Sequence, residues 1–163
     1  MLIRSATGAD APAISALNVE VQAVHAEALP HIFKPPSKGA FPPAEVASWF
    51  DDPRNHVYLA CEEEESVGYI WARVLSLSET SYRYGLDVIY INHLVVGSAR
   101  RRQGVGRALI EKVLCLARER GISMVQLDVW SFNEQARAFF RRQGFAPFNE
   151  RMWLSIGHPD TAA

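Results

Sequence analysis

Three runs rich in β-branched and aromatic residues follow one another through the middle of the chain with no helical stretch between them. They are HVYLAC from His56 to Cys61, SVGYIWARVLSL from Ser66 to Leu77 and DVIYINHLVV from Asp87 to Val96. Such runs favour a pleated, half-buried surface. Only Glu62 to Glu65 separates the first two, and that acidic stretch reads as the solvated turn of an antiparallel hairpin. A chain carrying this block has to build its sheet from sequence neighbours, so the first half of the fold is largely antiparallel.

Helical patterns flank the block. LIRSA, residues 2–6, reads as a first strand. Thr7 with Asp10 makes a capping-box-like signal, and apolar residues then recur at Ile14, Leu17, Val21, Val24 and Ala28 with helical spacing. Pro30 closes that helix; HIFKPPSKGAFPP is a loop, and AEVASWF is a short helix with Pro43 in its first turn. Downstream, ISMVQLDVW reads as a strand and NEQARAFFRRQ as a helix stopped by Gly144, and FAPF and ERMWLSI read as closing strands. The predicted order is β α α β β β α β α β β, a mixed α/β (α+β) domain. Its 163 residues suit one domain, expected over 1–157 with 158–163 as a mobile tail.

A net charge of −1 provides no global field for nucleic acid, and no apolar run approaches the ~20 residues of a membrane span. The N-terminal MLIRSATGAD has no leader-like apolar core. Cys61 and Cys115 lack metal-ligand spacing and read as small buried hydrophobes in a reducing cytoplasm. No metal is expected.

Chemistry concentrates in ARRRQGVGRALIEKVL, Ala99 to Leu114. A short basic loop follows a strand, and Gly104 and Gly106 open a helix whose apolar face is Val105, Leu109, Val113, Leu116 and Ala117. The first N–H groups of a helix have no partner within it and carry partial positive charge, which makes an anion site. Glycines allow close approach of a phosphate, and Arg101, Arg102 and Arg107 add cationic charge at the rim. A Walker-type loop requires Gly-Lys-Ser/Thr, which is absent, and a dinucleotide fingerprint requires a third small residue where Leu109 stands.

The run Arg101-Arg102-Gln103-Gly104-Val105-Gly106 matches Arg/Gln-x-x-Gly-x-Gly/Ala, and LDVWSFNEQARAFFRRQGF follows at Leu127 to Phe145. In both stretches the chain resembles the Gcn5-related N-acetyltransferase (GNAT) superfamily. That resemblance implies the GNAT fold: a mixed, mostly antiparallel central sheet flanked by helices, with a splayed strand pair forming the acyl-CoA cleft. It implies acetyl-CoA as co-substrate, with its pyrophosphate on the backbone of Arg102 to Arg107 and its pantetheine along Leu94, Val95 and Val96. Asn133 corresponds to the family's cofactor-binding Asn and is also a natural helix N-cap.

The implied reaction is direct attack of an amine of a small molecule or protein on the thioester. Polarisation would come from a backbone N–H near Val95 or Val96. The alternative is a non-catalytic acyl-CoA-binding module, because Phe140 stands where relatives carry the Tyr that protonates the thiolate. Tyr90 and Asn92 occupy positions where relatives carry Glu or His; His93 adjoins them, and Asp128 matches the base position of ribosomal-protein acetyltransferases. His25, Glu27, His31 and Phe33, with Tyr82 and Tyr84, lie in segments that shape the acceptor side in this family. ERMWLSI is an edge strand available for pairing in a homodimer.

Overall fold

The computed structural model describes residues 1–36, 41–154 and 156. One five-stranded sheet runs in the order β1 (Leu2–Ser5), β2 (Asn55–Glu62), β3 (Glu65–Leu77), β4 (Leu86–Val96), β5 (Val125–Leu127). The first four strands are antiparallel neighbours and β5 joins β4 in parallel. Helices α1 (Ala11–Ala28) and α2 (Pro43–Ser48) pack on one face and α3 (Val105–Glu119) on the other; α4 (Glu134–Arg142) follows β5. This is the expected mixed sheet with flanking helices.

Each face has its own core. On one, Val105, Leu109, Ile110, Val113, Leu116 and Ala117 of α3 pack on Ile70, Ala72, Ile89 and Ile91. Every residue of the helical stripe read from the sequence is therefore buried. On the other face, Ile14, Val46 and Trp49 meet Leu59, Tyr69 and Val95, and Trp49 stacks on Trp71 at 4.0 Å.

The hairpin turns tightly, with Glu62 opposite Glu65 and Glu63 in the left-handed region at φ 53°. The Thr7 signal works through Asp10, which accepts the Thr7 N–H at 2.8 Å and a two-pronged ion pair from Arg4 at 2.6 and 2.8 Å. A 3-10 turn, Gly8–Asp10, intervenes, so α1 begins at Ala11. The Arg4 hydrogen bonds hold the Asp10 carboxyl at about 2, against an ordinary 3.8. A depressed carboxyl contributes stability above its unfolded value and loses it as pH falls through the folded one. Asp10→Asn is expected to cost about 1–2 kcal/mol at pH 7 and progressively less from pH 4 to pH 2, read by urea unfolding at each pH.

Two expectations fail at the C-terminal end. FAPF and ERMWLSI form no strand among the described residues, and ISMVQLDVW contracts to Val125–Leu127. Strands need partners. Beyond Phe145 the described backbone makes no hydrogen bond to other backbone, Pro147 has no N–H to give, and Met152 and Leu154 stay over 80% exposed (85% and 86%). Without a sheet edge to cover, alternating apolar residues gain no burial. Gly157 and the expected tail 158–163 lie outside the described residues.

Candidate active site

β5 pairs only with Ile89, Tyr90 and Ile91, after which the two strands part. Gly97 donates its N–H to Val67 O of β3, so alternation turns Val95 toward β3 and leaves the N–H and C=O groups of Leu94 and Val96 facing the opening. Of the three expected β4 contacts, Leu94 and Val96 thus present backbone to the gap. Val95 does not, and its side chain is buried against α1 and α2.

A β-bulge sits at the mouth. Trp71 lies opposite His93 and Ala72 opposite Ile91, which leaves Asn92 as an extra residue. The bulge puts Tyr90, His93 and Val95, opposite Arg73, Trp71 and Tyr69, on the α1/α2 face. Ile89, Ile91 and Leu94 share the α3 face. The Asn92 Nδ2 is buried and has no partner among the described residues.

The basic loop closes the wide end of the split. Gly104 is the N-cap of α3 at φ 87°, and no atom lies within 4 Å of where its Cβ would stand. Arg102 is also left-handed, at φ 64°. The N–H groups of Arg102, Gln103, Gly104, Val105, Gly106 and Arg107 donate to no carbonyl outside α3, and the first three N–H groups of the helix have none within it. Successive uncommitted N–H groups around an open glycine are the kind of arrangement that can cradle an anion. Gly106 serves packing: a Cβ there would sit 3.1 Å from the Phe139 ring, which docks α4 on α3.

The arginines divide their work. Arg100 pairs with Glu62 at 3.0 Å and Glu65 at 3.4 Å. Arg101, expected at the phosphate rim, donates instead to Val96 O at 3.1 Å and pairs with Glu20 at 3.2 Å. Glu20 also accepts from the Ser98 N–H at 2.9 Å and its hydroxyl at 3.1 Å, so α1 anchors the loop. Arg102 and Arg107 make no ion pair among the described residues and are the cations left for a ligand. Gln103 donates to Ala99 O at 3.0 Å, bracing the turn.

Across the gap, Asn133 caps α4, accepting from Ala136 N at 3.0 Å through Oδ1. Its Nδ2 makes no bond among the described residues and is left to donate. Phe140 packs edge-on against Phe139 at 5.2 Å and Phe145 at 5.7 Å and supplies no proton.

On the α1/α2 face, Tyr90 donates its hydroxyl to Asp128 Oδ2 at 2.8 Å. Burial, with the carboxylate beside it, pushes the Tyr90 phenol up to about 12. His93 sits among Phe41, Trp49, Trp71 and Tyr69. Burial, aided by the charge of His25, pushes its imidazole down to about 4, so the ring is neutral near pH 7. Asn18 Nδ2 donates to the Tyr69 hydroxyl at 2.8 Å, and that hydroxyl lies 3.0 Å from His93 Nδ1. Donating the Tyr69 hydroxyl hydrogen bond to the Nδ1 lone pair satisfies the relay and leaves the ring hydrogen on Nε2. In that arrangement His93 presents a donor rather than a base.

The acceptor-side segments partly converge. His25 meets Phe33 at 5.0 Å, and His31 stacks on Trp153 at 5.9 Å. Tyr82 and Tyr84 stand almost fully exposed, 87% and 86%.

The acetyltransferase (GNAT) family model matches residues 26–145, covering the parted strands, the loop and α4. The chain belongs to this family. It is 35% identical over 88 residues to human N-acetyltransferase 8, a match that takes in 54% of this chain and 37% of the human protein. The chain therefore spans well under two thirds of that relative's length. Among solved structures, a tetramutant of BH1408 protein from Bacillus halodurans superposes with a TM-score of 0.92 at 24% identity, covering 96% of this chain and all of that one. An aminoglycoside antibiotic 6'-N-acetyltransferase from Acinetobacter haemolyticus gives 0.72 at 17% identity, covering 97% and 99%. Both solved structures fall below 25% identity and speak for the GNAT fold alone.

GNAT enzymes use acetyl-CoA as co-substrate, and the residues here fit it. The loop around Gly104 suits a pyrophosphate, and the β4 edge at Leu94 and the Val96 N–H, with Val96 O held by Arg101, suits an amide-bearing arm. No group of metal-ligating side chains occurs among the described residues, and no helix there is long and apolar enough to cross a membrane.

Proposed function

We propose that the protein transfers the acetyl group of acetyl-CoA to a primary amine, of a small molecule or a protein, by direct attack. The observation that carries this reading is the juxtaposition of an unpaired β4 edge with the uncommitted N–H groups from Arg102 to Arg107. The thioester supplies an activated acyl group. The loop N–H groups, with Arg102 and Arg107, hold the pyrophosphate, and Val105 and Gly106 give the helix start that aims them. Leu94 and Val96 pair with the pantetheine, and an N–H on this edge donates to the carbonyl oxygen as it gains charge. Asn133 Nδ2 adds a donor from the opposite wall.

The acceptor approaches from the α1/α2 face, where Tyr90, Asn92, His93 and Asp128 are proposed to order it and its water. The Asp128 carboxylate attracts an incoming ammonium, and His93 offers an N–H. Phe140 gives the departing thiolate no proton, so water supplies it. That same Phe140 favours a second reading, a non-catalytic acyl-CoA-binding module.

One plate separates the readings. Free CoA release is followed with a panel of amines and peptide N-termini, alongside a thermal shift with acetyl-CoA alone. Stabilisation with release from an amine is the expected result. Stabilisation without release supports the binding module, and neither effect sinks both readings. A cytoplasmic location and a homodimer remain parts of this proposal, tested by fractionation and by light scattering.

A further inference from the structure

An ammonium ion has no lone pair, so acetyl transfer to an amine needs a base on the acceptor side of the split. Asp128 is already engaged by the Tyr90 hydroxyl, and the His93 lone pair faces Tyr69. A third group stands in the opening. His25, in the last turn of α1, places Nδ1 2.7 Å from Val21 O. A carbonyl can only accept, so Nδ1 carries the hydrogen and the lone pair of the neutral ring is on Nε2. Nε2 makes no hydrogen bond among the described residues, nor is it among the buried polar atoms there that lack a partner.

Three rings hold the imidazole edge-on: Phe33 at 5.0 Å, Phe132 at 5.6 Å and Trp130 at 6.5 Å. Trp130 and Phe132 continue the β5 wall beyond Asp128, stack on each other at 6.1 Å, and leave Trp130 42% exposed. Phe33, which meets Trp130 at 5.1 Å, comes from the loop after α1. On the β4 wall the titratable group that feels the His25 charge is His93. The ring thus lies against the residues that continue β5, on the side of the split that His93 faces from β4. The rings in contact with it do not titrate, and aromatic faces attract an ammonium while accommodating an apolar body.

We propose that His25 Nε2 is the base that takes the proton from the acceptor, and that Phe33, Trp130 and Phe132 select a primary amine carried on an aromatic or other apolar group. The inference rests on the acetyl-transfer reading above. The proton passes from ammonium to Nε2, the amine nitrogen bonds the acyl carbon, and the C–S bond breaks. The thiolate then takes a proton from water, and the new amide loses its second proton to solvent.

The test uses 2-phenylethylamine as probe and spermidine as the polycationic comparison, with CoA release measured from pH 5.5 to 9. His25→Asn keeps a donor for Val21 O without a base, and His25→Gln is its check. Both variants are expected to lower kcat for 2-phenylethylamine by about 100-fold or more while the KM for acetyl-CoA stays within about twofold. The rising pH limb should disappear, and free imidazole should restore part of the rate. Trp130→Ala should raise the KM for 2-phenylethylamine about tenfold and leave that for spermidine unchanged.

Folded His25 variants that keep kcat and the same pH limb overturn the base assignment, and preference for spermidine overturns the amine class. Wild type stabilised by acetyl-CoA yet inactive on both amines overturns this inference and leaves cofactor binding standing. Absence of stabilisation overturns the underlying reading.

Discussion

Gly104→Glu is expected to weaken acetyl-CoA binding by about 100-fold or more, measured by calorimetric titration. Two effects combine. Gly104 holds φ at 87°, a conformation that costs a side-chain-bearing residue about 1–3 kcal/mol. The open space around it also lies in the middle of the run of uncommitted N–H groups proposed to hold the pyrophosphate. A carboxylate placed about 4 Å from a phosphate at the protein surface is repelled by about 4 kcal/mol, roughly three decades in affinity. Gly104→Ala separates the terms: it should lower the melting temperature but retain most of the binding. If the Glu variant, folded and monitored by circular dichroism, bound acetyl-CoA like wild type, the pyrophosphate would not sit on this loop.

The second large effect is on stability. A Cβ at Gly68 would lie 2.7 Å from Val95 O, a backbone atom, and 3.3 Å from Val105 Cγ1. β3 and β4 approach too closely there for any side chain, and neither backbone nor α3 can yield cheaply. Gly68→Ala is expected to cost about 1–3 kcal/mol, and Gly68→Val more, by urea denaturation. The displaced strand is the one that presents Leu94 and Val96 to the gap. Surviving Gly68→Ala protein should therefore bind acetyl-CoA more weakly as well. Unchanged stability would show that β4 is free to shift.

Legibility followed the range of the interactions. The α3 stripe was readable because helical periodicity is local, and all five residues read from it are buried. Thr7 and Asp10 were readable for the same reason, being three residues apart. Arg101 was not. Its type suggested a phosphate contact, but its partner Glu20 lies 81 positions earlier and no local pattern announces it. The same holds for Tyr69, which sets the hydrogen on His93 from another strand. The closing strands failed differently: the alternation was present, but a strand also needs an edge to join, and β5 offers only three residues. The convergence of Trp130 and Phe132 on His25 depends on how β5 leaves β4. Sequence supplied the rings without their meeting point.

The extra residue at Asn92 works as a change of parity. On the N-terminal side of it, odd-numbered positions of β4 face α3; on the C-terminal side, even-numbered ones do. Strict alternation through Asn92, with no bulge, would exchange the faces of everything that follows. His93 and Val95 would turn toward α3, and Leu94 and Val96 would direct their backbone groups to β3 instead of the gap. Tyr90 and His93, three positions apart, share one surface only because the bulge absorbs Asn92. The bulge at this single residue is therefore a condition of having both a core and a cleft.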